Sequence, residues 1–260
     1  MRILVITEED EFYLPGCLDR FLEQIISDHD VVGVVLAENT LLPGPWAAAR
    51  KFYRVFGLWP VAQQALRLAR ARFLDRVYSL RAQGRAYSMP AVCRKWGVGC
   101  SCVKDVNSEG FIKQIVEQEI DLIVSISPTQ KFKKLLLEAP REGCINIHSS
   151  PLPKYRGLYP TYWAMACGEA KTAVSVHYMS EELDQGGIII QQEIKIPPNC
   201  SMDYMLKKAK AVGADLLVLA VKQISNETAK PVWPRGGGSY YSFPTKESYR
   251  NFRRLGYRLW

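Results

Sequence analysis

Apolar residues fall into short runs and helical stripes along this chain, and the two patterns alternate. RILVI, near the start, is β-branched and bounded by charge, which predicts a buried strand. LPGCLDRFLEQII then sets Leu18, Phe21, Leu22, Ile25 and Ile26 at helical spacing, and VVGVVLAEN returns to a buried-strand run. A strand, a helix and a second strand in that order predict a βαβ unit and a parallel sheet. Farther on, MPAVCRKWGV predicts a short helix and FIKQIVEQEI a longer one, while DLIVSIS and CINIHSS predict a third and a fourth buried strand. KTAVSVHYMS and GGIIIQQEIKI alternate well enough for two more strands, paired antiparallel. MDYMLKKAKAVGADLLVLAVKQI keeps helical periodicity over several turns, with Ser201 as its N-cap. The expected fold is α/β: a Rossmann-like, mainly parallel sheet flanked by helices.

Two segments depart from that pattern. Between about 42 and 88, after the second strand, the chain is rich in Trp, Phe, Leu and Arg and nearly without acids apart from Asp75, which predicts a helical insertion. After Pro231 the composition shifts to Gly, Tyr and Arg, so 231–260 reads as a C-terminal extension to a main domain of 1–230. A chain of 260 residues suffices for one large domain with such an appendage. The start shows no basic segment followed by an apolar one, and no apolar run reaches the roughly 18–20 residues that span a bilayer, so a cytoplasmic protein is expected. Seven scattered cysteines, with no CxxC pair and no histidines clustered with them at zinc spacing, read as reduced, mostly buried thiols, and no metal site is expected. The net charge of +8 points to an anionic partner.

Candidate chemistry concentrates in INIHSSPLPKYRG (145–157) and LDQGGIII from 183. On a strand, residues two apart share a face, so Asn146 and His148 point one way while Ile145 and Ile147 fill the other. Both lie near the end of a predicted parallel strand, where open α/β sheets place ligands. Asp184 precedes a Gly-Gly turn that can return a carboxylate over the same edge. An amide can hydrogen-bond a carbonyl oxygen as it becomes an oxyanion, an imidazole can stabilise that charge or move a proton, and a carboxylate can orient the imidazole. A histidine on a mixed strand is also an ordinary structural residue, and an Asp before Gly-Gly an ordinary turn residue. The residues alone leave both readings open.

Taken together, NIHSSPLPKYRG and the later LDQGGII resemble the 10-formyltetrahydrofolate-dependent formyltransferase family, whose members act on glycinamide ribonucleotide, methionyl-tRNA and nucleotide-linked amino sugars. The resemblance runs across about 105–195, with the opening βαβ in keeping, and does not extend to 42–88 or the last thirty residues. It implies catalytic roles for Asn146, His148 and Asp184, and 10-formyltetrahydrofolate as formyl donor. It further implies that the pterin is held, largely through backbone groups, at Gln130, Phe132, Leu183 and Asp184. Ser127-Pro128-Thr129 stands where relatives often have Gly or Tyr, so the pocket edge is expected to differ. Tyr155 and Arg156 are expected to support the turn.

The expected acceptor is a small amine such as an amino sugar. Glu8, Glu9, Asp10 and Glu11 follow the first strand where phosphate-binding relatives place small residues, and carboxylates there would attract a protonated amine. Transfer RNA ranks lower because that branch carries a C-terminal β-barrel, which the residues after Pro231 cannot form. Hydrolysis of the donor and a non-catalytic folate-binding role are the other readings. In the insertion, Leu66, Ala69, Phe73, Val77 and Leu80 form an apolar stripe, with Arg70 and Arg81 on one side and Arg72 and Arg76 on the other, and Trp46, Phe52, Phe56 and Trp59 lie upstream. That composition suits either contact with a membrane surface, through 42–88 and the YRNFRRLGYRLW tail, or packing on the domain or another subunit. The oligomeric state stays open.

Overall fold

The computed structural model describes residues 1–41, 44–79, 88–234 and 236–260. Among the described residues, nine strands run β1 (Arg2–Thr7), β2 (Asp30–Ala37), β3 (Cys100–Val103), β4 (Leu122–Ile126), β5 (Cys144–His148), β6 (Arg156–Gly157), β7 (Lys171–Tyr178), β8 (Ile188–Lys195) and β9 (Tyr240–Tyr241). The helices are α1 (Leu14–Ile25), α2 (Pro45–Phe56), α3 (Leu58–Ser79), α4 (Met89–Trp96), α5 (Glu109–Glu117), α6 (Lys134–Leu137), α7 (Pro160–Ala166), α8 (Met202–Ser225) and α9 (Lys246–Arg254).

Seven strands form one sheet in the order β3-β2-β1-β4-β5-β7-β8. The first five are parallel, and β7 and β8 add antiparallel to β5 and to each other. This is the Rossmann-like, mainly parallel sheet expected, with the antiparallel pair also as read. The strand at Cys100–Val103 was not anticipated: it is a short edge strand of Cys and Ser, largely exposed, and carries no apolar run to announce it.

Alternation along the strands divides the core into two layers. Ile3, Val5, Val34, Val124, Ile145, Ile147, Val174 and Val176 face α1, α8 and the short helices α4 and α7. Leu4, Ile6, Val35, Ile123 and Cys144 face α5 and α6. The period of two therefore sends Asn146 and His148 to the side of Cys144, away from α8. Gly213 lets α8 approach closely on the other side, since a Cβ there would lie 3.1 Å from Ile147 Cδ1. Ser201 caps α8 as expected, its hydroxyl accepting from Tyr204 N–H at 3.1 Å.

The C-terminal residues pack on the main body. Tyr240 and Tyr241 pair with Arg156 and Gly157, Phe252 is fully buried against Tyr162, and Leu259 and Tyr257 join the larger core layer. The tail's aromatic and apolar residues therefore mostly face inward, and the lipid-facing surface expected of it is not presented. Its Arg-rich face is what remains outside. In the insertion, Phe52 and Phe56 turn inward onto Phe243, Tyr162 and Tyr249. Leu80, Arg81 and Arg85 lie outside the described residues.

Candidate active site

The two side chains on β5 meet a third element through register. Asn146 pairs with His177 and His148 with Ser175 across the antiparallel β5–β7 contact, so all four share one sheet face. The chain leaving β7 then turns back, and Asp184 comes over that face in the left-handed region at φ 55°. Gly186 makes the return possible: a Cβ there would lie 1.8 Å from the Tyr178 carbonyl oxygen. Asn146, His148 and Asp184 are all buried.

Their contacts assign each atom a task. Asp184 Oδ2 accepts from Gly157 N–H at 2.8 Å, and Oδ1 lies 3.6 Å from His148 Nδ1 and 3.7 Å from His177 Nε2. His148 Nε2–H donates to the Tyr155 carbonyl at 2.8 Å, which leaves Nδ1 as the ring atom free to act beside Asp184. His177 Nδ1–H donates to the Tyr178 carbonyl at 2.7 Å, so its bare Nε2 accepts from Asn146 Nδ2 at 3.3 Å. That bond fixes the Asn146 amide with one N–H still to give, while its buried Oδ1 has no partner. Burial holds the His177 pKa down at about 4 despite the Asp184 charge, so the ring is neutral near pH 7 and the acceptor role is consistent.

His177 is the site residue that the sequence reading did not single out. Its signal was there: on KTAVSVHY it alternates with Val174 and Val176, the same polar-against-apolar pattern that marked Asn146 and His148.

Beyond these residues a cleft of about 410 Å³ opens along the ends of β1, β4 and β5. Asn146, His148, Asp184 and Leu183 lie in its wall, with Ser127, Pro128 and Thr129 from the loop after β4. Gln130 and Phe132 do not line it. The Gln130 amide is spent inside that loop, accepting from Val106 N–H and donating to the Glu38 and Lys104 carbonyls, and Phe132 fills the α5–α6 core layer. The role the resemblance implies at these two positions is a backbone one; their side chains hold the loop, and the lining from this loop comes from 127–129.

The opposite end of the cleft is set by the acidic loop. Asp10 Oδ1 accepts from Phe12, Tyr13 and Leu14 N–H and so caps α1, and Glu11 pairs with Arg72 at 3.0 Å. Glu8 accepts from Asn39 Nδ2 at 2.9 Å and lines the cleft with Lys210, which bonds Ser127. Burial, with help from Asp10, pushes the Glu8 carboxyl up to about 7, and burial lowers Lys210. Behind Phe12 and Trp260, which line that end, Arg67 of α3 is bonded to Asp203 and lies 4.1 Å from the Trp260 ring centroid.

Residues 99–221 match the family profile described as "Formyl transferase". The methionyl-tRNA formyltransferase of Syntrophus aciditrophicus (strain SB) is 37% identical over 124 residues, which is 48% of this chain and 40% of that protein. The chain thus matches about two fifths of that curated relative's length. Among solved structures, a sugar N-formyltransferase from Shewanella sp FDAARGOS_354 aligns over 98% of this chain and 87% of its own, at 17% identity and a TM-score of 0.59. An N-formyltransferase from Helicobacter canadensis, in complex with folinic acid and dTDP-3-aminofucose, aligns over 98% of this chain and 80% of its own, at 16% identity and a TM-score of 0.61. At such identities the structural likeness shows the fold.

Proposed function

From the match of residues 99–221 to the formyl transferase profile, we propose that this protein moves the formyl group of 10-formyltetrahydrofolate to the amine of a small acceptor, such as an amino sugar. The observation that carries the reading is the meeting of Asn146 and His148 with Asp184, 36 residues beyond His148 in the chain, within one cleft wall.

When bound, the donor supplies an activated formyl carbon. The residues around it do the rest. The acceptor nitrogen attacks that carbon as a neutral amine, and a C–N bond forms while the carbonyl becomes an oxyanion. The remaining N–H of Asn146 and a proton on His148 Nδ1 stabilise that oxygen. Asp184 holds the imidazole and takes the proton the amine loses, and the leaving N10 of the folate receives a proton as its bond to carbon breaks. The products are the formamide and tetrahydrofolate. The 127–129 loop, Leu183 and the Asp184 loop would hold the pterin, and the acceptor would enter from the side of Glu8. A carboxyl near the acceptor suits an amine or hydroxyl better than a phosphate.

A panel of amines incubated with 10-formyltetrahydrofolate, followed by tetrahydrofolate release, tests this. Turnover is expected with at least one amine and is expected to collapse in Asp184→Asn and His148→Ala. Release that is equally fast without any amine would replace the proposal with hydrolysis. The 37% identity over 124 residues to a methionyl-tRNA formyltransferase favours methionyl-tRNA as a second acceptor reading, and the charged RNA belongs in the same panel.

A further inference from the structure

The insertion carries a surface that the proposed reaction does not use. On α3 the residues at 58, 62, 65, 66, 69 and 73 recur at spacings of three and four, so they share one face. That face is Leu58, Ala62, Ala65, Leu66, Ala69 and Phe73, all exposed, with Leu66 at 73% and Phe73 at 66%. Trp59 beside it is 72% exposed, and Trp46 on the neighbouring α2 is 86% exposed. The helix packs on the protein through its other side, where Ala71 is buried and Arg67 is bonded to Asp203. The apolar stripe thus faces outward, the reverse of an amphipathic helix resting on its own domain.

Charge decides what such a face can meet. Arg50 and Arg54 are exposed on α2, and Arg70, Arg72 and Arg76 are exposed on α3 at the edges of the stripe, whereas Asp75 is the one acid described on either helix. Pressing two copies of this face together would set arginines against arginines. An anionic bilayer complements it, with Trp and Leu entering the headgroup boundary and guanidinium groups at the level of the phosphates.

We infer that the outer face of α2 and α3 docks on an anionic lipid bilayer. No described helix is long and apolar enough to cross a membrane, so the contact is peripheral. The same two helices line the cleft from their inner side through Lys51, Phe52, Phe56 and Gln64, so docking holds the cleft about one helix diameter, ~10 Å, from the lipid surface. The acceptor is then an amine on a lipid or other amphiphile; this last step rests on the proposed formyl transfer, whereas the docking does not.

Co-sedimentation with phosphatidylglycerol/phosphatidylethanolamine vesicles, against pure phosphatidylcholine, tests the docking. Binding is expected to the anionic vesicles alone, to weaken as salt rises, and to fall at least about tenfold in the exposed-face variant W46S/W59S/L66S/F73S. A charge variant, R50E/R54E/R70E, is expected to lose binding similarly. Formyl transfer to a soluble amine should stay unchanged in both, which separates this surface from the reaction. Absence of binding at low salt, or equal binding by the wild type and both variants, overturns the inference. So does a concentration-dependent dimer, seen by light scattering, that W46S/W59S/L66S/F73S abolishes while vesicles are ignored.

Discussion

A buried histidine behind the cleft wall and a half-buried carboxyl that lines the cleft should pull the stability of this protein in opposite directions with pH, and their cancellation can be undone one residue at a time. Burial lowers the His177 ring from 6.5 to about 4, the Asp184 charge offsetting only part of that cost. Glu8 moves from 4.5 to about 7, through burial first and the Asp10 charge second. Between about pH 4 and 6.5 the unfolded chain binds a proton at His177 that the folded chain does not, so this residue makes stability rise with pH. Between 4.5 and about 7 the folded chain keeps a proton on Glu8 that the unfolded chain has released, so Glu8 makes stability fall with pH. At about 1.4 kcal/mol for each tenfold in proton affinity, each effect amounts to about 3 kcal/mol over its full range. Across the shared window, 4.5 to 6.5, the two nearly cancel.

His177→Gln keeps a polar group of similar reach and removes the titration. Its stability relative to the wild type should therefore fall by about 2 kcal/mol as pH rises through that window. Glu8→Gln should show the opposite trend of similar size. Urea unfolding at closely spaced pH values measures both, and groups common to the proteins, His29 among them, drop out of the difference. A His177→Gln difference that is flat between pH 4.5 and 6.5 would refute the claim that the ring is held neutral.

Four further outcomes follow from the same geometry. Asp184→Asn should lower turnover by about 10²–10⁴-fold with an unchanged urea midpoint, since the asparagine can still accept from Gly157 N–H; near-normal turnover would remove Asp184 from the reaction. Asn146→Ala should lower turnover by about 10²–10³-fold through loss of the oxyanion donor, read in the same tetrahydrofolate assay. Gly186→Ala should destabilise the protein by at least about 2 kcal/mol and abolish activity together, because the new methyl would strike the Tyr178 carbonyl and displace the Asp184 loop. Gln130→Leu should cost about 2–4 kcal/mol in urea unfolding, because Val106 N–H and the Glu38 and Lys104 carbonyls lose their partner.

Much of this architecture was legible because the hydrophobic pattern carries it. Buried parallel strands such as RILVI and DLIVSIS are nearly continuous apolar runs, and β7 and β8 alternate because they sit at the antiparallel side. Asn146 and His148 stood out because two polar groups interrupt such a run at the period of a strand. His177 did so by the same rule, but its partnership with Asn146 depends on the β5–β7 register, which no local pattern encodes. The split between Gln130 and the cleft is likewise tertiary: an amide inside a loop goes to whichever backbone groups the neighbouring loops bring close, here Glu38, Lys104 and Val106. The insertion shows the limit of periodicity most plainly. Spacing identified the stripe Leu66, Ala69 and Phe73, but spacing has no sign, and the structure turns that stripe to the outside.

The central claim is that Asn146, His148 and Asp184 surround the carbon that is transferred. A crystal structure with a non-transferable analogue of 10-formyltetrahydrofolate tests it most directly. The formyl oxygen should lie within about 3 Å of Asn146 Nδ2 and in reach of His148 Nδ1, with the pterin against 127–129 and the Asp184 loop. A folate seated elsewhere, with its formyl group out of reach of all three side chains, would contradict the account.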